Sequence, residues 1–170
     1  MPKISQKVCL LGDFAVGKTS LVRRFVYNAF DDKYLATIGV KVSRKTVVLP
    51  TQDELAELTL LLWDLAGSEE FSHVRATYLR GAAGAILVCD LTRPETLTAL
   101  SAYVDDMRRI APAARFVVAA NKSDLPDLRL QAAQVEAFAD SLDTACYLTS
   151  ARTGHQVEDA FRYLGRLLLP

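Results

Sequence analysis

The chain has 170 residues, of which 51% are hydrophobic and 24% charged, enough apolar material for a core and too much for a disordered segment. Lysine plus arginine number 20 and aspartate plus glutamate number 20, a balance that argues against nucleic-acid binding driven by bulk charge. No apolar run reaches the roughly eighteen residues of a membrane span, and the first seven residues lack the apolar stretch of a secretory leader. Cys9, Cys89 and Cys146 are scattered, odd in number and set among apolar residues. They read as buried thiols of a reducing, cytoplasmic compartment, not as a disulfide frame or a metal site.

In chain order, Lys7 to Leu11 is an apolar run of strand length that stops at Gly12. From Gly17 to Tyr27, Leu21, Val22, Phe25 and Val26 fall on one helical face. Val40 to Leu49 and Leu58 to Trp63 flank a polar turn at Thr51 to Glu54 and predict a hairpin. That connection looks long, reaching to Glu57. Gly84 to Asp90 and Arg115 to Asn121 are near-continuous apolar runs, the signature of strands buried on both faces. Pro94 opens a helix striped by Leu97, Leu100, Val104 and Met107. Val135, Phe138 and Leu142 mark another helix, and Ala145 to Leu148 a last short strand. Val157, Ala160, Phe161, Leu164 and Leu168 mark the terminal helix. The order predicts one α/β domain over residues 1–170, with a doubly wound, mostly parallel, six-stranded sheet covered on both faces.

Residues Gly12-Asp13-Phe14-Ala15-Val16-Gly17-Lys18-Thr19 match G-x-x-x-x-G-K-[ST] between a predicted strand and a predicted helix. In that setting the loop amides of Asp13 to Gly17 ring a phosphate, helped by the helix N-terminus at Ser20 and before. Lys18 reaches the β- and γ-phosphates, and the Thr19 hydroxyl is an oxygen ligand for Mg²⁺. The loop alone permits a kinase, an ATPase or a GTPase. Asn121-Lys122-Ser123-Asp124 narrows the choice, because it follows a buried strand at the carboxyl edge of the sheet. A carboxylate there accepts hydrogen bonds from both N1–H and the 2-amino group of guanine, a donor pair that adenine lacks.

With these motifs the chain resembles the Ras-like small GTPases of the P-loop NTPase fold, and most closely their Rab branch. Further landmarks are Ala36-Thr37-Ile38-Gly39-Val40, Trp63-Asp64-Leu65-Ala66-Gly67, Tyr78-Leu79-Arg80-Gly81-Ala82 and Thr149-Ser150-Ala151-Arg152. The resemblance implies a GTP/GDP molecular switch with bound Mg²⁺, and partners that act through its switch regions: effectors, exchange factors and GTPase-activating proteins. It implies that Thr37 senses the γ-phosphate and Mg²⁺, that Asp64 holds Mg²⁺ through a water, and that the Gly67 N–H meets the γ-phosphate. Phe30 would lie against the guanine and Tyr34 would cover the phosphates. Asn121 and Asp124 would read the base, the stem of Lys122 would stack on it and the Ala151 N–H would meet O6. Ser150 would brace that loop, with Thr149 and Arg152 supporting; Arg152 stands where the family usually has lysine.

The chain departs from the pattern at four places. Ser68 stands where the family has the glutamine that orients the attacking water, and serine is too short to reach it. Glu69, Glu70 and His73 are the neighbouring candidates for that task. Phe14 stands where a small residue is usual; its ring either overhangs the γ-phosphate, obstructing an arginine from an activating protein, or swings outward. Val42 replaces an aromatic of the effector-facing cluster that Trp63 and Tyr78 would complete. The chain stops at Leu167-Leu168-Leu169-Pro170 without prenylated cysteines, so membrane association is expected only through a missing tail or a partner. Two functions remain: a switch with slow intrinsic GTP hydrolysis, or a GTP-binding interaction module with negligible turnover that recruits partners.

Overall fold

The computed structural model describes residues 1–33, 36–67 and 72–170, without the side chains of Ser72 and His73. The expectations for Tyr34, Ser68, Glu69, Glu70 and the His73 side chain therefore fall outside the described residues. Along the chain come β1 (Lys3–Leu11), α1 (Lys18–Tyr27), β2 (Val40–Pro50), β3 (Leu55–Leu65), α2 (Ser72–Leu79), β4 (Gly84–Asp90), α3 (Glu95–Thr98), α4 (Leu100–Ile110), β5 (Arg115–Asn121), α5 (Ala132–Ser141), β6 (Cys146–Leu148) and α6 (Val157–Leu167). The strands form one sheet in the order β2-β3-β1-β4-β5-β6. Only β2 and β3 pair antiparallel; every other pair is parallel. The expected six-stranded, mostly parallel sheet is what the chain forms.

Alternation along the strands divides the apolar residues between two cores. Val8 and Leu10 point to the side covered by α1 and α6, whose Phe25 and Phe161 rings stack at 4.1 Å. Cys9 and Leu11 point to the side covered by α2, α4 and α5. All seven residues of β4 are buried, because it lies inside the sheet with helices on both faces. α6 completes its own logic with Glu158 and Asp159 in the first turn and Arg166 in the last, each charge placed to favour the helix dipole.

Four expectations need correction. The hairpin connection is short: the Thr51 N–H donates to the Glu54 carbonyl at 2.8 Å, and Leu55 to Glu57 already belong to β3. β1 starts at Lys3, because the polar residues before Lys7 continue the ladder with β3 from Lys3 opposite Glu57. α2 was not expected; its residues Ser72 to Leu79 carry no continuous apolar stripe. Cys146 is only half-buried, because it opens a three-residue strand at the sheet edge, whereas Cys9 and Cys89 are buried as expected.

The parallel strands β1, β4 and β5 bring their carboxyl ends together. Leu11 lies beside Leu87, and Asp90 beside Asn121. The loops that leave these ends are where an open α/β sheet places its ligand site.

Candidate functional site

The loop from Gly12 to Gly17 leaves β1 and turns into α1. Gly17 sits at φ 104 with its α-carbon against the Asn121 side chain, where a Cβ would collide with the amide nitrogen. Both the positive φ and the lack of room demand glycine. Ala15 also takes a left-handed φ of 63, a strained conformation for a residue with a Cβ. Gly67 packs onto the same loop from β3: a Cβ there would stand 2.7 Å from the Phe14 nitrogen. The backbone of the phosphate loop is thus clasped from two sides.

Lys18 folds back over the loop it follows. Its Nζ donates to the carbonyls of Gly12 at 2.7 Å and Asp13 at 3.0 Å. The residue is 7% exposed. Burial pushes its pKa down to about 8, against the pull of Asp64 and Asp13. A buried ammonium held by two neutral carbonyls is short of negative charge, which an anion in the loop would supply.

Three oxygens converge beside Lys18. Thr19 Oγ1 donates a short hydrogen bond to Asp64 Oδ2 and lies 2.6 Å from Thr37 Oγ1, and Thr37 Oγ1 is 3.4 Å from the same carboxylate oxygen. Asp64 is 2% exposed, and burial raises its pKa despite those hydroxyls and Lys18. Among the described residues, its Oδ1 is buried with no hydrogen-bond partner. One carboxylate and two hydroxyls, with a lone buried oxygen, fit Mg²⁺: that ion takes hard oxygen ligands, few of them from protein when phosphates supply the rest. Across from this cluster, Ala66 N–H donates to the Gly39 carbonyl at 2.9 Å, tying the segment after Thr37 to the segment before Gly67.

At the other end of the cavity, Asn121 is a tie rather than a free reader. Its Nδ2 donates to the Val16 carbonyl at 3.0 Å, and its Oδ1 accepts from Thr149 Oγ1 at 3.2 Å and Ala151 N at 3.3 Å. Asp124 is exposed and braced by Ser150 Oγ at 2.8 Å. Lys122, at φ 68, turns its Nζ to Asp90 Oδ2 at 2.9 Å. Asp90 also accepts from Arg93 Nε at 3.0 Å, and Arg93 Nη2 donates to the Phe14 carbonyl at 2.8 Å. One buried carboxylate therefore links the phosphate loop to the Asn121–Asp124 loop.

A cavity of about 630 Å³ joins the two ends. Of the expected site residues, Phe14, Ala15, Gly17, Lys18, Thr19, Ser20, Phe30, Thr37, Asp64, Gly67, Asn121, Lys122, Asp124, Ala151 and Arg152 line it. Asp13, Val16 and Ser150 stand behind the wall: the Asp13 carboxylate accepts from Tyr103 Oη at 3.1 Å, Val16 is core, and Ser150 supports Asp124. The Phe14 ring is 50% exposed at the rim. Asp90, Arg93, Tyr103 and Arg24 are supporting residues that no motif announced. Asp90 alone left a trace, as a lone charge ending a fully apolar strand. Beside the cavity, Trp63 and Tyr78 lie 6.1 Å apart, Val42 opposes Trp63 in the sheet, and Ile38 is 94% exposed.

This fold, with a phosphate loop after the central β1 and an Asn-Lys-x-Asp loop after β5, defines a nucleotide-binding α/β domain of the P-loop kind. A sequence profile of the Ras family matches residues 7–169, and the chain belongs to that family. It is 40% identical to the Ras-related protein Rab-22A of Mus musculus over 162 residues, 94% of this chain and 81% of that protein. It is 36% identical to the Ras-related protein Rab-31 of Homo sapiens over 166 residues, 96% of this chain and 83% of that one. The GTP-binding protein ypt5 of Schizosaccharomyces pombe is 36% identical over 168 residues, 97% and 78% of the two chains. The kinship is thus Rab-like. Among the described residues, no helix is long and apolar enough to cross a membrane.

Proposed function

We propose that this chain is a single G domain that binds GTP and GDP with Mg²⁺, switches between the two states, and hydrolyses GTP slowly. The observation that carries the reading is that one cavity joins a buried, charge-deficient lysine, a Thr19–Thr37–Asp64 oxygen cluster and a braced exposed carboxylate at Asp124. The lysine and loop amides suit polyphosphate, and Asp124 suits the donor pair of guanine.

Each residue then has a task. Lys18 and the loop amides bind and orient the phosphates. Thr19, Thr37 and Asp64 would hold Mg²⁺, which when bound neutralises charge on the β- and γ-phosphates. Thr37 and Gly67 meet the γ-phosphate, and the Ala66–Gly39 hydrogen bond makes the two segments respond together. Asp124 reads the 2-amino group and N1–H, the Ala151 N–H reads O6, and Asn121 keeps the loops in place. In hydrolysis, water attacks the γ-phosphorus while its bond to the β–γ bridging oxygen breaks, leaving GDP and phosphate. Ser68 is too short to orient that water, so turnover is slow. Effectors and regulators engage the face of Ile38, Val42, Trp63 and Tyr78, with no contribution from nucleic acid.

The exposed Phe14 ring at the rim favours a second reading, a GTP-bound recruiting module with negligible turnover. Single-turnover GTP hydrolysis tests both. The slow switch predicts measurable cleavage that Ser68→Gln accelerates by roughly tenfold, which needs only about 1.4 kcal/mol in the transition state. Phe14→Gly with Ser68→Gln should gain more, because glycine in place of the exposed ring leaves room for the longer amide side chain. No cleavage in any of these proteins would favour the module. Fast cleavage by the unmodified protein would mean that another group orients the water.

A further inference from the structure

Arg24 lies on α1, six residues after Lys18, and its guanidinium joins the base end of the cavity to the helix. Nε donates to the Ala151 carbonyl at 2.8 Å and Nη2 to the Arg152 carbonyl at 2.5 Å. The third corner, Nη1, donates to Asn28 Oδ1 at 3.0 Å, and Asn28 caps the helix in a left-handed conformation. The segment from Ser150 to Gly154 is tied at its ends, by Ser150 N to the His155 carbonyl at 3.0 Å and Gly154 N to the Ser150 carbonyl at 2.8 Å. Among the described residues, the Ala151 and Arg152 carbonyls hydrogen-bond to Arg24 alone. A planar fork braced at its third corner fixes both peptides at once, which a point charge cannot do.

Ala151 is buried and lines the cavity, and its N–H makes only a long contact of 3.3 Å with Asn121 Oδ1. A better-placed acceptor in the cavity would capture it. We infer that Arg24 is a positioning residue for base selection: by holding the Ala151 and Arg152 carbonyls it aims the Ala151 N–H at the 6-oxo group of the base. The inference rests on the guanine reading proposed above. A purely structural role, a cation in the last turn favouring the helix dipole, would be served equally by lysine.

The test measures dissociation constants for GDP, 6-thio-GDP, IDP and ADP with Mg²⁺, in the unmodified protein, Arg24→Lys and Arg24→Ala, beside thermal melting of each. Sulfur is a poor acceptor, so the GDP to 6-thio-GDP ratio reports the 6-position contact. The IDP ratio reports the 2-amino contact at Asp124. Arg24→Lys should melt near the unmodified protein, and both variants should narrow the 6-thio ratio by about fivefold with the IDP ratio unchanged. An unchanged 6-thio ratio in both variants, whatever the overall affinity, would make Arg24 structural and overturn the inference. So would a parallel collapse of both ratios. If the unmodified protein does not prefer GDP to ADP, it is the guanine reading that fails, and this inference goes with it.

Discussion

Asp124 stands exposed at the edge of the cavity, and a hydrogen bond from Ser150 Oγ aims its carboxylate. Replacing it by Asn swaps an acceptor for a donor at one oxygen position. Asp124→Asn should lower GDP affinity by roughly a hundredfold and create binding of xanthosine diphosphate, whose 2-oxo group accepts from the new amide. Equilibrium titration of both nucleotides checks it, and unchanged GDP affinity would sink the assignment. Residues of this kind were legible in the sequence, because Lys18, Thr19 and Asp124 sit in short contiguous motifs whose chemistry is local. Arg24 was not, since its partners Ala151 and Arg152 lie 127 and 128 residues away. Tyr103 likewise meets Asp13 across 90 residues, with nothing in the spacing to betray it.

The element that joins the two functional loops is the end of β4. Burial by itself would raise the Asp90 pKa, but hydrogen bonds from Lys122, Thr92 and Arg93 outweigh it and hold the carboxyl below its usual range. The unfolded chain therefore binds this proton at a higher pH than the folded one. The stabilisation is fully present above the ordinary aspartate range near pH 4 and is lost as pH falls through the lower folded value. Asp90→Asn should cost about 2 kcal/mol at pH 7, and the gap to the unmodified protein should close below roughly pH 4. Melting of both proteins from pH 7 to pH 3 checks this; a gap independent of pH would contradict it. β4 and β5 were readable because strands buried on both faces spell continuous apolar runs. α2 was not, since Val74 is exposed and its packing is carried by Leu79 together with Arg75, which stacks on Tyr103 at 4.4 Å and pairs with Asp106 at 2.7 Å. The start of β1 was hidden for a related reason: Lys3 to Gln6 form no apolar run, and only β3 beside them makes them a strand.

Across the whole molecule, the sheet holds apart two loop clusters, those after β1 and β3 to which the proposal gives phosphate and metal chemistry and that after β5 to which it gives base recognition. On the proposed reading a bound nucleotide would bridge them, and the Thr19–Thr37–Asp64 cluster joins α1 and the segment before β2 to β3. Chelation of Mg²⁺ should therefore speed GDP release by roughly tenfold or more, and Thr19→Asn should weaken GTP more than GDP, because a metal held by Thr19, Thr37 and Asp64 would offset more charge on the triphosphate. Release rates followed with a fluorescent GDP, with and without chelator, check this; a rate indifferent to chelation would remove the metal from the site. The central claim is that this cavity selects a guanine nucleotide. Its most direct test is competition between GDP and ADP for the nucleotide-free protein in Mg²⁺, read by equilibrium dialysis. GDP should displace ADP with a preference of at least roughly a thousandfold, the scale set by unmatched buried donors and acceptors. Equal binding of the two diphosphates would contradict it.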